Sequence, residues 1–190
     1  MKHKPLKSDL SVRGIQNLRK QLVYYKNNIL QQKVDLLAKR LAEKGVAIAQ
    51  TNIATYDAIF TGELISSIEA RYGGSTKGTA VFYVVADSEH AVWVEFGTGQ
   101  MGLENPYPYP FPEGVEWNYN TGKKIQKATE DIYVKDYSEP YIKKGDYFWV
   151  YIGEDGKLHI SKGMPSRPFM YETAVELMTE IVKTAKEVFG

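Results

Sequence analysis

Apolar residues recur at helical spacing through the first part of the chain. From Ser11 onward Ile15, Leu18, Leu22, Tyr25 and Ile29 stand three or four residues apart, and Leu37 and Leu41 resume the pattern. A stripe of that period is one face of an amphipathic helix, so it predicts a long helix over residues 12–44. Asp9 or Ser11 can cap it, because a short side-chain oxygen accepts an otherwise unpaired N–H of the first turn. Gly45 predicts an end or a weak point, followed by a second helical stretch through residues 46–58. Helical spacing returns at the C-terminus. There Met170, Ala174, Leu177, Ile181, Ala185 and Val188 line one side of a helix over 169–189. Pro168 sits at its first turn, where a missing N–H costs nothing.

Between these helices the period shortens. Ser67–Tyr72, Ala80–Ala86 and Ala91–Phe96 are rich in Val, Tyr, Phe and Trp and predict three strands, the first two joined by a hairpin turn at Gly73–Gly78. Short turns argue for antiparallel pairing, since a parallel pair needs a long crossover. Tyr147–Ile152 and Leu158–Ile160 predict a second hairpin, with Asp155-Gly156 in the turn. Pro106, Pro108, Pro110 and Pro112 alternate with Tyr107, Tyr109, Phe111 and Glu113. Alternating proline removes backbone donors and predicts an extended loop. Residues 113–145 show no clean period, and the whole stretch 100–145 predicts an exposed insertion.

At 190 residues the chain is long enough to bury a core as one domain. No apolar run approaches the roughly eighteen residues that span a bilayer, and the basic first ten residues, read as a flexible tail, lack a signal-peptide pattern. The absence of cysteine excludes disulfides and thiolate metal sites. A net charge of +1 conceals an asymmetry: residues 1–50 carry eleven Lys and Arg against three acids, and the remainder carries thirteen against twenty. A basic helix can attract nucleic acid or pair with an acidic neighbouring protomer. Fourteen tyrosines suit interfaces, where a large ring with a polar tip is useful.

No catalytic constellation emerges. His90 and Glu95, read on a strand, point to opposite faces. A His90/His159/carboxylate metal site would need convergence that nothing in the sequence signals. Gly97-Thr98-Gly99 lacks the lysine and helix start of a phosphate loop, and Gly153-Glu154-Asp155-Gly156 lacks the later ligands of a calcium loop. Lys123, Lys124 and Lys127 with Trp117, Tyr119 and Tyr133 could line a nucleic-acid or glycan groove, but Glu116, Glu130, Asp131 and Asp136 mix the charge. Glu95, between Val94 and Phe96, is expected to be partly buried and so to need partners. Arg167, or the N–H groups near Pro168, could provide them.

Three blocks in order carry a resemblance: Thr61-Gly-Glu-Leu-Ile-Ser-Ser-Ile68, Ala91-Val-Trp-Val-Glu-Phe-Gly-Thr-Gly99 and Gly163-Met-Pro-Ser-Arg-Pro-Phe-Met170. With the Trp149–His159 hairpin, they make the chain resemble the HK97 gp10-like family of bacteriophage tail-completion, or neck, proteins from residue 10 to the C-terminus. The long 100–145 segment departs from a compact member. The resemblance implies a single α+β domain: a small, mainly antiparallel sheet packed by the long N-terminal and the C-terminal helix. It implies a structural, non-enzymatic virion protein without cofactor, assembled in the host cytoplasm. Such a protein forms a ring, usually sixfold, between the head-completion connector and the tail tube, and it can be monomeric alone. On this reading Glu95, Phe96, Gly97, Thr98, Gly99, Arg167, Pro168 and Phe169 form a structural motif. Tyr107, Tyr109, Phe111, Trp117, Tyr119, Tyr133, Tyr137 and Tyr141 are candidates for contact with a partner. The alternatives are a phage-encoded cell-wall glycan-binding module or small enzyme using the 107–151 aromatic surface, and direct contact of the basic helix with DNA.

Overall fold

The computed structural model describes residues 9, 11–58, 62–120, 125–135, 139, 141–153 and 155–190. Most of the predicted N-terminal tail, Lys123, Lys124, Asp136, Tyr137 and Glu154 lie outside these. The protein is α+β, and its chain divides into two compact units. One comprises residues 1–51, 66–86 and 172–190, and the other residues 52–65 and 87–171.

In the first unit, α1 (Val12–Tyr24) is capped by Ser11, whose Oγ accepts from Gly14 N at 2.9 Å. One π-helical turn (Tyr25–Ile29) leads straight into α2 (Leu30–Thr55). The predicted break at Gly45 is absent. Gly45 is buried within α2, where a Cβ would lie 2.7 Å from Val84 Cγ2 and 3.3 Å from Leu177 Cδ2. Glycine is there for close packing, and the helix tolerates its roughly 1 kcal/mol propensity cost.

A short helix, α3 (Glu63–Ser66), stands before the first strand, its first three residues in the second unit. Strands β1 (Ile68–Thr76) and β2 (Thr79–Ala86) pair antiparallel. The turn is Lys77-Gly78, and Gly78 adopts φ +84°. Of the predicted turn glycines, Gly73 and Gly74 instead fall inside β1, where the register shifts between Tyr72 and Gly74 as a bulge. Polar contacts fasten the hairpin to α2: Gln31 accepts from Gly78 N at 2.6 Å, and Ser75 Oγ donates to Asp35 at 2.7 Å.

The rest of this unit is the last helix, α6 (Phe169–Phe189), from residue 172 onward. Lys44 donates to Glu180 at 2.7 Å and Thr184 at 2.9 Å, and Lys33 donates to the Val188 carbonyl at 2.8 Å. Lysine at a helix C-terminus satisfies a carbonyl left without an intrahelical partner. The Lys44 hydrogen bond holds the Glu180 carboxyl below its usual range. Core positions include Ala42, Ala49, Ile68, Thr184 and Val188.

The second unit contains α4 (Ala91–Phe96), α5 (Gly99–Glu104), β3 (Gln126–Lys127), β4 (Tyr147–Ile152), β5 (Leu158–Ser161) and β6 (Gly163–Met164). Strands β3, β4 and β5 form an antiparallel sheet, so the strands are shared between two small sheets. The predicted strand over Ala91–Phe96 is a helix. Its last three residues, Val94, Glu95 and Phe96, are all buried, a run that a one-faced strand could not bury.

The predicted insertion is also partly ordered. Ala128 and Ile142 are buried with Phe148, and Ile132 bridges Ile142. Alternation of single apolar residues with charged ones conceals these few inward positions. Replacing Gly45 by Leu should lower stability by about 1–3 kcal/mol through overpacking despite the better helix propensity. Urea denaturation measures this, and an unchanged midpoint would show that Gly45 is not a packing contact.

Candidate functional site

Two of the three sequence blocks given above, residues 91–99 and 163–170, cross each other in the second unit. Gly97, at φ +80°, ends α4, and its N–H donates to the Trp93 carbonyl at 2.8 Å. Thr98 and Gly99 then bridge antiparallel to Met164 and Gly163. The approach is tight enough to demand glycine. A Cβ on Gly97 would lie 2.6 Å from Ser166 N, one on Gly99 would lie 2.5 Å from Lys162 O, and one on Gly163 would collide with Thr98 O. All three have positive φ, which side-chain-bearing residues rarely adopt.

Further backbone bonds hold the crossing: Arg167 N donates to Val94 O at 2.9 Å, Met101 N to Lys162 O at 3.0 Å, and Ser166 N to Asn105 O at 3.1 Å. Ser166 Oγ donates to Glu95 O at 2.7 Å.

Glu95, 7% exposed, closes the arrangement. Its two carboxylate oxygens accept from the first-turn N–H groups of α6, Oε2 from Met170 N at 2.9 Å and Oε1 from Tyr171 N at 3.1 Å. These N–H groups have no partner inside their own helix, and the positive end of the helix dipole favours an anion there. Of the two kinds of partner foreseen for Glu95, the helix N–H groups are in place. Arg167 joins the crossing through its backbone, Pro168 is buried before the helix, and Phe169 is fully buried.

The proline-rich segment packs on this crossing by simple alternation. Pro106, Pro108, Pro110 and Pro112 are exposed, while Tyr107 is buried and Tyr109 half-buried. Phe96 meets Tyr107 edge-on at 4.9 Å and lies 5.4 Å from Phe111 and 5.1 Å from Trp117. Tyr109 stacks on Tyr171 at 4.0 Å. Trp117 Nε1 donates to Gly97 O at 3.0 Å, Tyr119 O accepts from Gly99 N at 2.6 Å, and Tyr119 OH accepts from Tyr107 N at 2.8 Å. The Tyr107 phenol is 3.5 Å from Glu95 Oε1, and burial, then the carboxylate charge, push its pKa well above the ordinary tyrosine range.

Tyr107 is therefore buried in this unit, and Trp117 and Tyr119, half-buried, are engaged by its backbone. Phe111 and Tyr133 remain exposed, and Tyr141 is half-buried beneath Lys162, whose Nζ is 5.1 Å from its ring. The bonds that Trp117 and Tyr119 make to the Gly97–Gly99 backbone are invisible in the sequence, where only their aromatic type is apparent.

Among the described residues, no three His, Asp or Glu side chains come together as metal ligands would. His90 precedes α4, whereas His159 lies on β5 with Nε2 2.9 Å from Asp155 Oδ1. Lys127 sits 5.8 Å above the Tyr147 ring. No described helix is long and apolar enough to cross a membrane. No family model matches the chain, and no curated protein or solved structure matches it either.

Removing the Glu95 carboxylate leaves buried N–H groups unpaired, so Glu95→Ala should cost about 2–3 kcal/mol. Glu95→Gln retains one acceptor oxygen and should fall between wild type and Ala. Thermal and urea unfolding rank the three, and equal stability of all three would refute this role for the carboxylate.

Proposed function

We propose that this chain is a structural subunit of a long-tailed bacteriophage or prophage particle. Its role is that of a tail-completion, or neck, protein lying as a ring, sixfold in the virion, between the head-completion connector and the tail tube. There it makes the tail competent to join the filled head. The observation that carries this reading is that two of the blocks responsible for the family resemblance, residues 91–99 and 163–170, interlock in one crossing. Their side chains are engaged in holding backbone: Glu95 on helix N–H groups, and Ser166 on a carbonyl. A rigid strap of this kind suits a subunit that must keep its shape while neighbours and partners bind, because less conformational freedom is lost on assembly.

The glycan-binding alternative draws less support, since Tyr107 is buried and the half-buried Trp117 and Tyr119 spend their polar groups on backbone. Deleting the gene and imaging the particles tests the proposal. The expected outcome is filled heads beside unattached tails, with joining restored by the gene supplied in trans. Normal infectious virions from the deletion would refute it.

A further inference from the structure

The last helix carries apolar residues on two sides over residues 172–189. Its inward positions mix polar and apolar groups: Thr173, Thr184 and Val188 are buried, Leu177 lies beside Gly45, and Glu180 is held by Lys44. Its outward side carries a further apolar stripe, with Met178 67% and Val182 63% exposed and Val175 and Ile181 also on the surface. A surface helix ordinarily turns its apolar stripe toward the core, so this stripe is arranged for a contact outside its own unit.

The same chain carries a second such stripe. Helix α1 has no buried residue, and Ile15 (52% exposed), Leu18 and Leu22 (48% exposed) line an open apolar groove bordered by Arg19 and Lys26.

The two stripes match in spacing. Ile15, Leu18, Leu22 and Tyr25 stand 3, 4 and 3 residues apart, and so do Val175, Met178, Val182 and Ala185. That is the alternation by which paired helices interdigitate, and each run covers about 15 Å at 1.5 Å per residue. Charge selects between the possible pairings. From Val12 to Val34 there is no acid, and Arg13, Arg19, Lys20 and Lys26 are all exposed. Two α1 helices would bring like charges together. The α6 stripe begins beside Glu172 and Glu176, which attract the basic helix, and the exposed Lys183 and Lys186 flank its other end, so the attraction is concentrated on the first half of the stripe.

We infer that α1 of one copy of this chain docks on the α6 stripe of a second copy, a head-to-tail contact that uses a different face of each subunit. Such contacts continue from subunit to subunit and close into a ring if the rotation allows. The contact deepens the neck-protein reading and rests on it only for ring closure.

Sedimentation of purified full-length protein, up to about 1 mM, tests the inference. Three proteins are compared: wild type, an α1 variant (Ile15→Glu with Leu22→Glu) and an α6 variant (Met178→Glu with Val182→Glu). All four positions are exposed, and unchanged circular dichroism and melting confirm folding. Wild type should self-associate, more weakly at high salt. Each variant alone should associate at least about ten-fold more weakly.

The decisive sample is the mixture, where the intact α6 of the first variant meets the intact α1 of the second. It should give a dimer of one copy of each and nothing larger. Monomeric wild type, a variant that associates normally alone, or a mixture that stays monomeric would each overturn the contact. Those results would leave the gene-deletion phenotype, and hence the neck reading, to stand or fall separately.

Discussion

The start of an α-helix presents N–H groups that its own backbone cannot satisfy, and in the second unit a single carboxylate answers that need. Glu95 lies over the first turn of α6 with one oxygen on Met170 N and the other on Tyr171 N. Once it is there, the surrounding chain has few choices. Val94 and Glu95 must bring their carbonyls to Arg167 and Ser166, and the chain must then turn sharply at Gly97 to run beside Met164. Three glycines permit that approach, and Phe96, next to the carboxylate, becomes the floor on which Tyr107, Phe111 and Trp117 pack. An ordinary N-cap uses a residue adjacent in sequence. Here the cap comes from about seventy residues away, so it joins segments that the chain order keeps far apart.

How much of this could be read beforehand depended on whether the signal was local. Glu95 between two large apolar residues was legible as a buried carboxylate, and Pro168 was legible as a helix start. The conformation of residues 91–96 was not. Val, Trp and Phe favour a half-buried pleat, but that preference expresses the neighbours a strand normally has. With no partner strand beside them, these six residues close a helical turn from His90 O to Val94 N. Gly45 misled in the same way: glycine lowers helix propensity, and only the nearness of Val84 and Leu177 explains its place mid-helix. The alternation of proline with aromatic residues marked a stretch, 106–112, that is neither helix nor strand. Which side faced inward was undetermined until Phe96 supplied a surface.

The first unit obeys a different logic. Its helices and hairpin are pinned by polar contacts, Gln31 and Asp35 on the hairpin and Lys44 on Glu180, while apolar side chains of α1 and α6 face out. Its core holds Ala42, Ala49, Ile68 and Val188, and the outward stripes of α1 and α6 are additional apolar surface that the proposed contact between copies would cover. The sequence displayed the α1 stripe through its helical spacing, whereas the α6 stripe legible there was Met170, Ala174, Leu177, Ile181, Ala185 and Val188, and the period of a stripe does not say whether it faces a core or a neighbour.

The first turn of α6 is thus locked by a remote carboxylate and opens only with the crossing. Native-state hydrogen exchange resolved to single amides tests this most directly. First-turn amides of a helix normally exchange by local fraying. The Met170 and Tyr171 amides should instead be strongly protected and open together with those of Gly97, Gly99 and Arg167, at one common free energy. Fast exchange at Met170 and Tyr171 while Gly97, Gly99 and Arg167 stay protected would contradict it.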